Sequence, residues 1–191
     1  AGRPVARVSA TALAACEVGT RSIYERGFAM PAFNIAHRIT PMVQPNPNDC
    51  WAAAIAMALG MTVRRIKALA EFNGVELNRD GSLPDGNPEI MRLLCRGIHM
   101  RPVSISRIPA IERLATFMRR GPVVLMGRIR HRHGILLHAL TIHRLVGEGR
   151  ADNTDVGLVD PSQAGTHVFT YAELAGRARG PIPTPHLLLV R

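Results

Sequence analysis

Gln44-Pro45-Asn46-Pro47-Asn48-Asp49-Cys50-Trp51-Ala52-Ala53-Ala54-Ile55-Ala56-Met57-Ala58-Leu59-Gly60 is the stretch on which the reading of this chain turns. Its opening residues form a stiff polar loop, because Pro45 and Pro47 fix their own φ and bias the residues before them away from helix. From Cys50 to Leu59 the run is alanine-rich and free of glycine and proline, which predicts a buried helix ending at Gly60. Asp49 stands where an N-cap belongs. A cysteine at the first position of a helix has a chemical consequence: the helix N-terminus and a nearby histidine both favour the thiolate, the nucleophilic form. Gln44 precedes it closely enough for its side-chain amide to point at the oxyanion formed when a thiolate attacks a carbonyl.

Outward from this stretch, Val63, Ile66, Leu69 and Ala70 repeat at helical spacing and predict a second helix over Val63 to Phe72. Asn87-Pro88 opens a third, a cap followed by proline at the first helical position, running to Arg96 and stopped by Gly97. The pattern then turns to strands. Arg101 to Ser106 alternates, Pro109 to Arg119 is one more helix, and Pro122 to Arg128 and Ile135 to His143 are apolar runs joined through Arg130 to Gly134. Short strands follow over Val156 to Asp160, Thr166 to Thr170 and Leu187 to Val190, with a helical turn or two over Tyr171 to Arg177. Helices first and antiparallel strands second is an α+β order. The texture changes at Pro41. Residues 1–40 read as an N-terminal extension, partly helical, and 41–191 as the folded domain.

The 191 residues are 47% apolar and 20% charged, enough apolar side chain for a sizeable core. No apolar run approaches the roughly 20 residues needed to span a bilayer, so a transmembrane chain is excluded. The balance of 24 basic against 14 acidic residues gives a net charge of +10, and Lys67 is the only lysine. The arginines are scattered and aromatics make up only 4% of the chain, whereas a nucleic-acid binder concentrates its charge and interleaves stacking rings. Cys16, Cys50 and Cys95 are an odd number without a CxxC pair, so disulfides do not organise the fold. Leu13-Ala14-Ala15-Cys16 has the look of a lipoprotein signal box, but the apolar run before it is short and an alanine-rich helical turn fits better.

Among the histidines, His138 lies in a predicted core strand between apolar alternating neighbours, Leu136, Leu140 and Ile142, where a lone imidazole needs a reason. Asp160, at a strand end before Pro161, suits a neighbouring strand. His143 faces the other side and is the reserve base. His131, His133, His138 and His143 together suggest a metal cluster, but no cysteine or carboxylate shares their spacing, and His131 and His133 sit on a turn. The reading calls for no metal and no cofactor.

The pattern Gln44, five residues, then Cys50-Trp51-Ala52 resembles the papain-like cysteine peptidases. Asp49-Cys50, the Ala/Met helix ending at Gly60, Gly121-Pro122-Val123-Val124, His138-Ala139 and Asp160-Pro161 are more similar still to the double-glycine peptidases that trim bacteriocin leaders, over roughly residues 41–177. The resemblance implies a papain-like fold with a helical half packed on a C-terminal antiparallel sheet. It also implies Cys50 as nucleophile, His138 as base, Asp160 as the group orienting the imidazole and Gln44 as oxyanion donor. The implied substrate is a protein or peptide cut after small residues such as Gly-Gly. Two departures stand out: Trp51 replaces the glycine usual after the cysteine in that group, and the exporter and ATPase to which these peptidases are usually fused are not in the sequence. A standalone peptidase behind such a front piece resembles toxin or effector domains delivered into target bacterial cells, with a cognate inhibitor or immunity protein as a further partner. The alternatives are a catalytically silent, deamidase or transglutaminase member of the same fold, and a basic nucleic-acid-binding module.

Overall fold

A computed structural model of the chain describes residues 32–84, 88–131, 134–163, 165–176 and 184–191. The first strand, β1 (Phe33–Ala36), is followed by three helices, α1 (Cys50–Leu59), α2 (Val63–Phe72) and α3 (Pro88–Ile98). Strand β2 (Arg101–Ser104) and helix α4 (Ile111–Met118) lead into β3 (Val123–His131), β4 (Gly134–Gly147), β5 (Thr154–Asp160) and β6 (Gly165–Thr170); α5 (Tyr171–Gly176) and β7 (Thr184–Val190) close the chain. The strands form one antiparallel sheet in the order β2-β7-β3-β4-β5-β6, with β1 added on β4. The expected α+β order of a helical half followed by an antiparallel sheet holds.

Helix α1 is the centre of the molecule. Cys50 through Ala58 are all buried, so α1 has no solvent face, as its unbroken apolar sequence requires. Alanines at 52, 53, 54 and 56 let neighbouring backbones approach closely; a larger side chain there would overpack the core, at a cost of about 1–3 kcal/mol. Gly60 ends the helix at φ +68 with its N–H on Ala56 O, and Met61 N bonds the same carbonyl. That left-handed turn is the one glycine adopts without a Cβ penalty. One apolar cluster joins α1, α2 and α3 to Val124, Met126 and Ala139 on the sheet. A second joins α4 to Leu125, Leu140, Ile142, Val156 and Leu158. The odd and even positions of β3 and β4 thus feed different cores, as the pleat dictates.

Three details differ from the sequence reading. Helix α3 passes through Gly97 and ends at Ile98, after which His99 takes φ +54. Gly97 is there for packing rather than for stopping, since a Cβ on it would lie 2.3 Å from Asn73 Nδ2 at the end of α2. Strand β4 extends to Gly147 because β1 and β5 both pair with its second half. And the sheet begins before the boundary expected at 40: Phe33 is buried in the α4 core and Ile35 packs against it. An alternation of four residues is too short to stand out in a sequence. Residues 1–31, with Cys16 and the expected helical stretch, lie outside the described residues.

Candidate active site

The long strand β4 changes partners along its length, and this change creates the site. From Thr141 onward β5 pairs with it, whereas Gly134 to Leu140 are paired with β3 alone. The start of α1 packs beside this stretch: Cys50 Sγ lies 3.8 Å from Leu137 O, and Thr141 Oγ1 donates to Ala54 O at 2.8 Å. Cys50 therefore sits at the N-terminus of a buried helix and at the edge of the strand that carries His138.

His138 Nε2 lies 3.0 Å from Asp160 Oδ1. An ionised carboxylate only accepts, so Nε2 carries the hydrogen and Nδ1 is the ring atom left for the thiol side. Cys50 is 8% exposed, His138 9% and Asp160 5%. Burial alone would pull the His138 pKa down, but the hydrogen bond to Asp160, a side-chain hydrogen bond with Cys50 and the charges of both outweigh it and raise it to about 9. Burial pushes Asp160 the other way; its bonds from His138 and from the Ser162 side chain and backbone prevail and hold its carboxyl below the ordinary 3.8. Ser162 N donates to Asp160 Oδ1 at 2.8 Å. Asp160 is thus fixed by the turn that follows it as well as by the imidazole.

Gln44 is joined to the same corner through its backbone, with Gln44 N donating to Pro161 O at 2.8 Å. Its side chain is held by Pro47: Nε2 donates to Pro47 O at 2.6 Å. An amide nitrogen has two hydrogens, so one remains for a ligand. Gln44 Oε1 is buried and has no hydrogen-bond partner among the described residues. The prolines contribute a carbonyl as well as stiffness.

Asp49 occupies the N-cap position and its carbonyl accepts from Ala53 N, but its side chain makes no cap bond. The carboxylate, 1% exposed, instead meets Lys67 Nζ at 2.7 Å through Oδ1 and Asn46 Nδ2 at 2.7 Å through Oδ2. The expected side-chain cap is therefore replaced by an ion pair, and the first-turn amides of α1 are left uncapped by Asp49. The turn at Gly81 closes over this corner, with Trp51 Nε1 donating to Gly81 O at 3.2 Å.

His143 is held elsewhere. It occupies a bulge in β4, where the register with β5 shifts between Ile142 and Arg144, and its Nδ1 lies 3.2 Å from His37 O. His133 and the side chain of His131 lie outside the described residues, and no group of three metal-binding side chains occurs among those described. Cys95 is buried, its thiol pushed up to about 12 by desolvation alone, with no charged partner to activate it among the described residues. A cavity of about 510 Å³ lies at the other end of α1, between Ala56–Met61, Arg38, Pro122 and Arg191, and includes none of Cys50, His138, Asp160 and Gln44. No helix among the described residues is long and apolar enough to cross a membrane.

The sequence reading missed Lys67, Thr141 and Ser162. Lys67 left a signal: one lysine among so many arginines marks a position where a compact ammonium is wanted. Thr141 and Ser162 left none.

No family model matches the chain, and no curated protein matches it. Among solved structures, a Bacillus anthracis chain described as a C39-like peptidase is similar to it, at 12% identity and a TM-score of 0.45, over 83% of this chain and 98% of that one.

Proposed function

We propose that this protein is a cysteine peptidase that cuts a protein or peptide by acyl transfer through Cys50. The observation that supports the reading is the meeting of three buried groups from three elements: a thiol at a helix start, an imidazole on β4 and a carboxylate at the end of β5, with His138 bonded to Asp160 and Cys50 Sγ 3.8 Å from the carbonyl of Leu137, the residue before the histidine. A cysteine that is only a small core residue has no need of a buried, carboxylate-oriented histidine beside it.

In this reading the Cys50 thiolate attacks the scissile carbonyl, and the oxyanion is held by the Cys50 N–H and the second hydrogen of Gln44 Nε2. The tetrahedral adduct collapses; the C–N bond breaks, and the imidazolium of His138 gives its proton to the leaving amine. The thioester that remains is attacked by water, whose proton passes to His138, and the acid leaves as the sulfur is released. Asp160 holds the ring and favours its charged form throughout. The uncapped first turn of α1 supplies the positive end of a helix to both the thiolate and the oxyanion. The resemblance to double-glycine peptidases adds a finer proposal: a narrow groove that takes small residues before the cut, in a protein that acts on a target-cell substrate and is restrained by an inhibitor partner.

The test is identification of new N-termini in a bacterial lysate treated with wild-type protein and with Cys50→Ala. The expected result is a set of new N-termini, preceded by small residues, that the variant does not produce. Equal cleavage by both proteins would overturn the assignment. Glutamine-to-glutamate mass shifts without new N-termini would make the enzyme a deamidase.

A further inference from the structure

A buried carboxylate directly before a nucleophilic cysteine is a liability, because its negative charge disfavours the thiolate and its oxygens are the right groups to cap the helix amides an oxyanion needs. Asp49 is such a carboxylate, and it is held from three sides. Lys67 on α2 takes Oδ1 and Asn46 takes Oδ2, each at 2.7 Å. Gly81 lies against the pair at φ +82, where a Cβ would fall 2.8 Å from Lys67 Nζ and 3.2 Å from Asp49 Oδ1. The side chain consequently makes no bond to the first turn of α1.

We infer that Lys67 and Asp49 are a positioning pair for the nucleophile: by neutralising and restraining the Asp49 carboxylate, Lys67 keeps the start of α1 open and positive for the Cys50 sulfur and for the oxyanion formed on attack. The inference rests on the reading of Cys50 as reactive. Among the described residues, the charged and titratable groups around Cys50 are few. His138 faces it from β4, with Asp160 behind the ring. Asp49 precedes it and Lys67 approaches from α2. Asp80, on the turn beside Gly81, accepts from Asn48 Nδ2. Strand β3 contributes apolar Val124 and Met126 to the core around α1. Lys67 is the cation bonded to Asp49, so removing either member changes the charge beside Cys50 by one unit, in opposite senses.

The experiment uses the full chain and follows iodoacetamide labelling of the Cys50 peptide by mass spectrometry, from about pH 5 to about pH 9, across the range where activated thiols ionise. Lys67→Met should move the rising limb to higher pH by about one unit, lowering the labelling rate on that limb by roughly tenfold. Asp49→Asn, which leaves the lysine unpaired, should move the limb to lower pH, and the double variant should return it towards the wild type. A limb that does not move in folded Lys67→Met, or single variants that move it in the same direction, would overturn the inference. If Lys67→Met does not fold, Asp49→Asn decides alone: a limb at lower pH supports the pair, and one unchanged or higher overturns it. Failure of Cys50 to label in the wild type would overturn the reading of Cys50 as reactive, and the pair with it. Labelling that responds as expected in a protein that cuts no peptide would remove the peptidase reading and leave the pair standing.

Discussion

Thr141 donates its hydroxyl to the carbonyl of Ala54 across 2.8 Å in a fully buried position. Ala54 is about one turn along the helix from Cys50, and Thr141 follows His138 on the same strand, so this bond ties the helix of Cys50 to the strand of His138. Thr141→Val keeps the shape and removes the donor. It should destabilise the fold by about 1 kcal/mol, a fall in Tm of roughly 2–4 °C for a chain of this size. Because it sets the spacing between Cys50 and His138, kcat should fall more than KM changes. Thermal unfolding and steady-state kinetics on a cleaved peptide check both; a fall in Tm with kcat unchanged would reduce the bond to a structural one.

The His138–Asp160 pair fixes a pH window for stability. His138 is raised on folding from 6.5 to about 9, so its contribution is fully present below about 6.5 and is lost as the pH rises through 9. Asp160 is lowered from 3.8, so its contribution is present above that value and is lost as the pH falls through the lowered one. Urea unfolding of wild type and His138→Gln should therefore show a difference that is largest near pH 6 and shrinks by on the order of 2–3 kcal/mol by pH 10. A pH-independent difference would contradict the ion pair.

The two described thiols should separate cleanly. Cys95, buried in the apolar cluster around α1 and pushed up to about 12 by desolvation, should stay unlabelled by iodoacetamide at neutral pH in the native state, while Cys50 reacts. The rate difference should exceed about a hundredfold, because the thiolate is the reacting form. Peptide mass spectrometry after brief labelling reads it, and preferential labelling of Cys95 would reverse the assignment.

Gly81 should tolerate no side chain. At φ +82, with a Cβ position 2.8 Å from Lys67 Nζ, Gly81→Ala carries roughly 1–2 kcal/mol of left-handed strain and displaces the lysine from Asp49. Both stability and the rate of Cys50 alkylation below pH 7 should fall, whereas strain alone would lower only the first.

Much of the helical half could be read from residues alone, because α1 and α2 carry strong local signals: an unbroken apolar run closed by Gly60, and apolar residues at three-and-four spacing after Thr62, whose hydroxyl accepts from Arg65 N. The strand β1 could not, since its four residues gain their meaning only from pairing with the far end of β4. Gly97 misled for a similar reason: a glycine that makes room for a neighbour looks the same in sequence as one that ends a helix. At the site, Cys50, His138, Asp160 and Gln44 were each marked by residue type and context, and the fold brings the first three together while tying Gln44 to Pro161. Lys67 and Thr141 were not found because their partners, Asp49 and Ala54, are near them only in three dimensions.

Acyl-enzyme formation on Cys50 under the control of His138 is read directly by rapid acid quench of the protein with an activated ester of a Gly-Gly peptide, followed by peptide mass spectrometry. The acyl mass should appear on Cys50 within the first turnover and decay as free acid appears, and its rate of formation should fall by on the order of a hundredfold or more in His138→Ala. An acyl group on Cys16 or Cys95, or one that forms on Cys50 equally fast without His138, would contradict it.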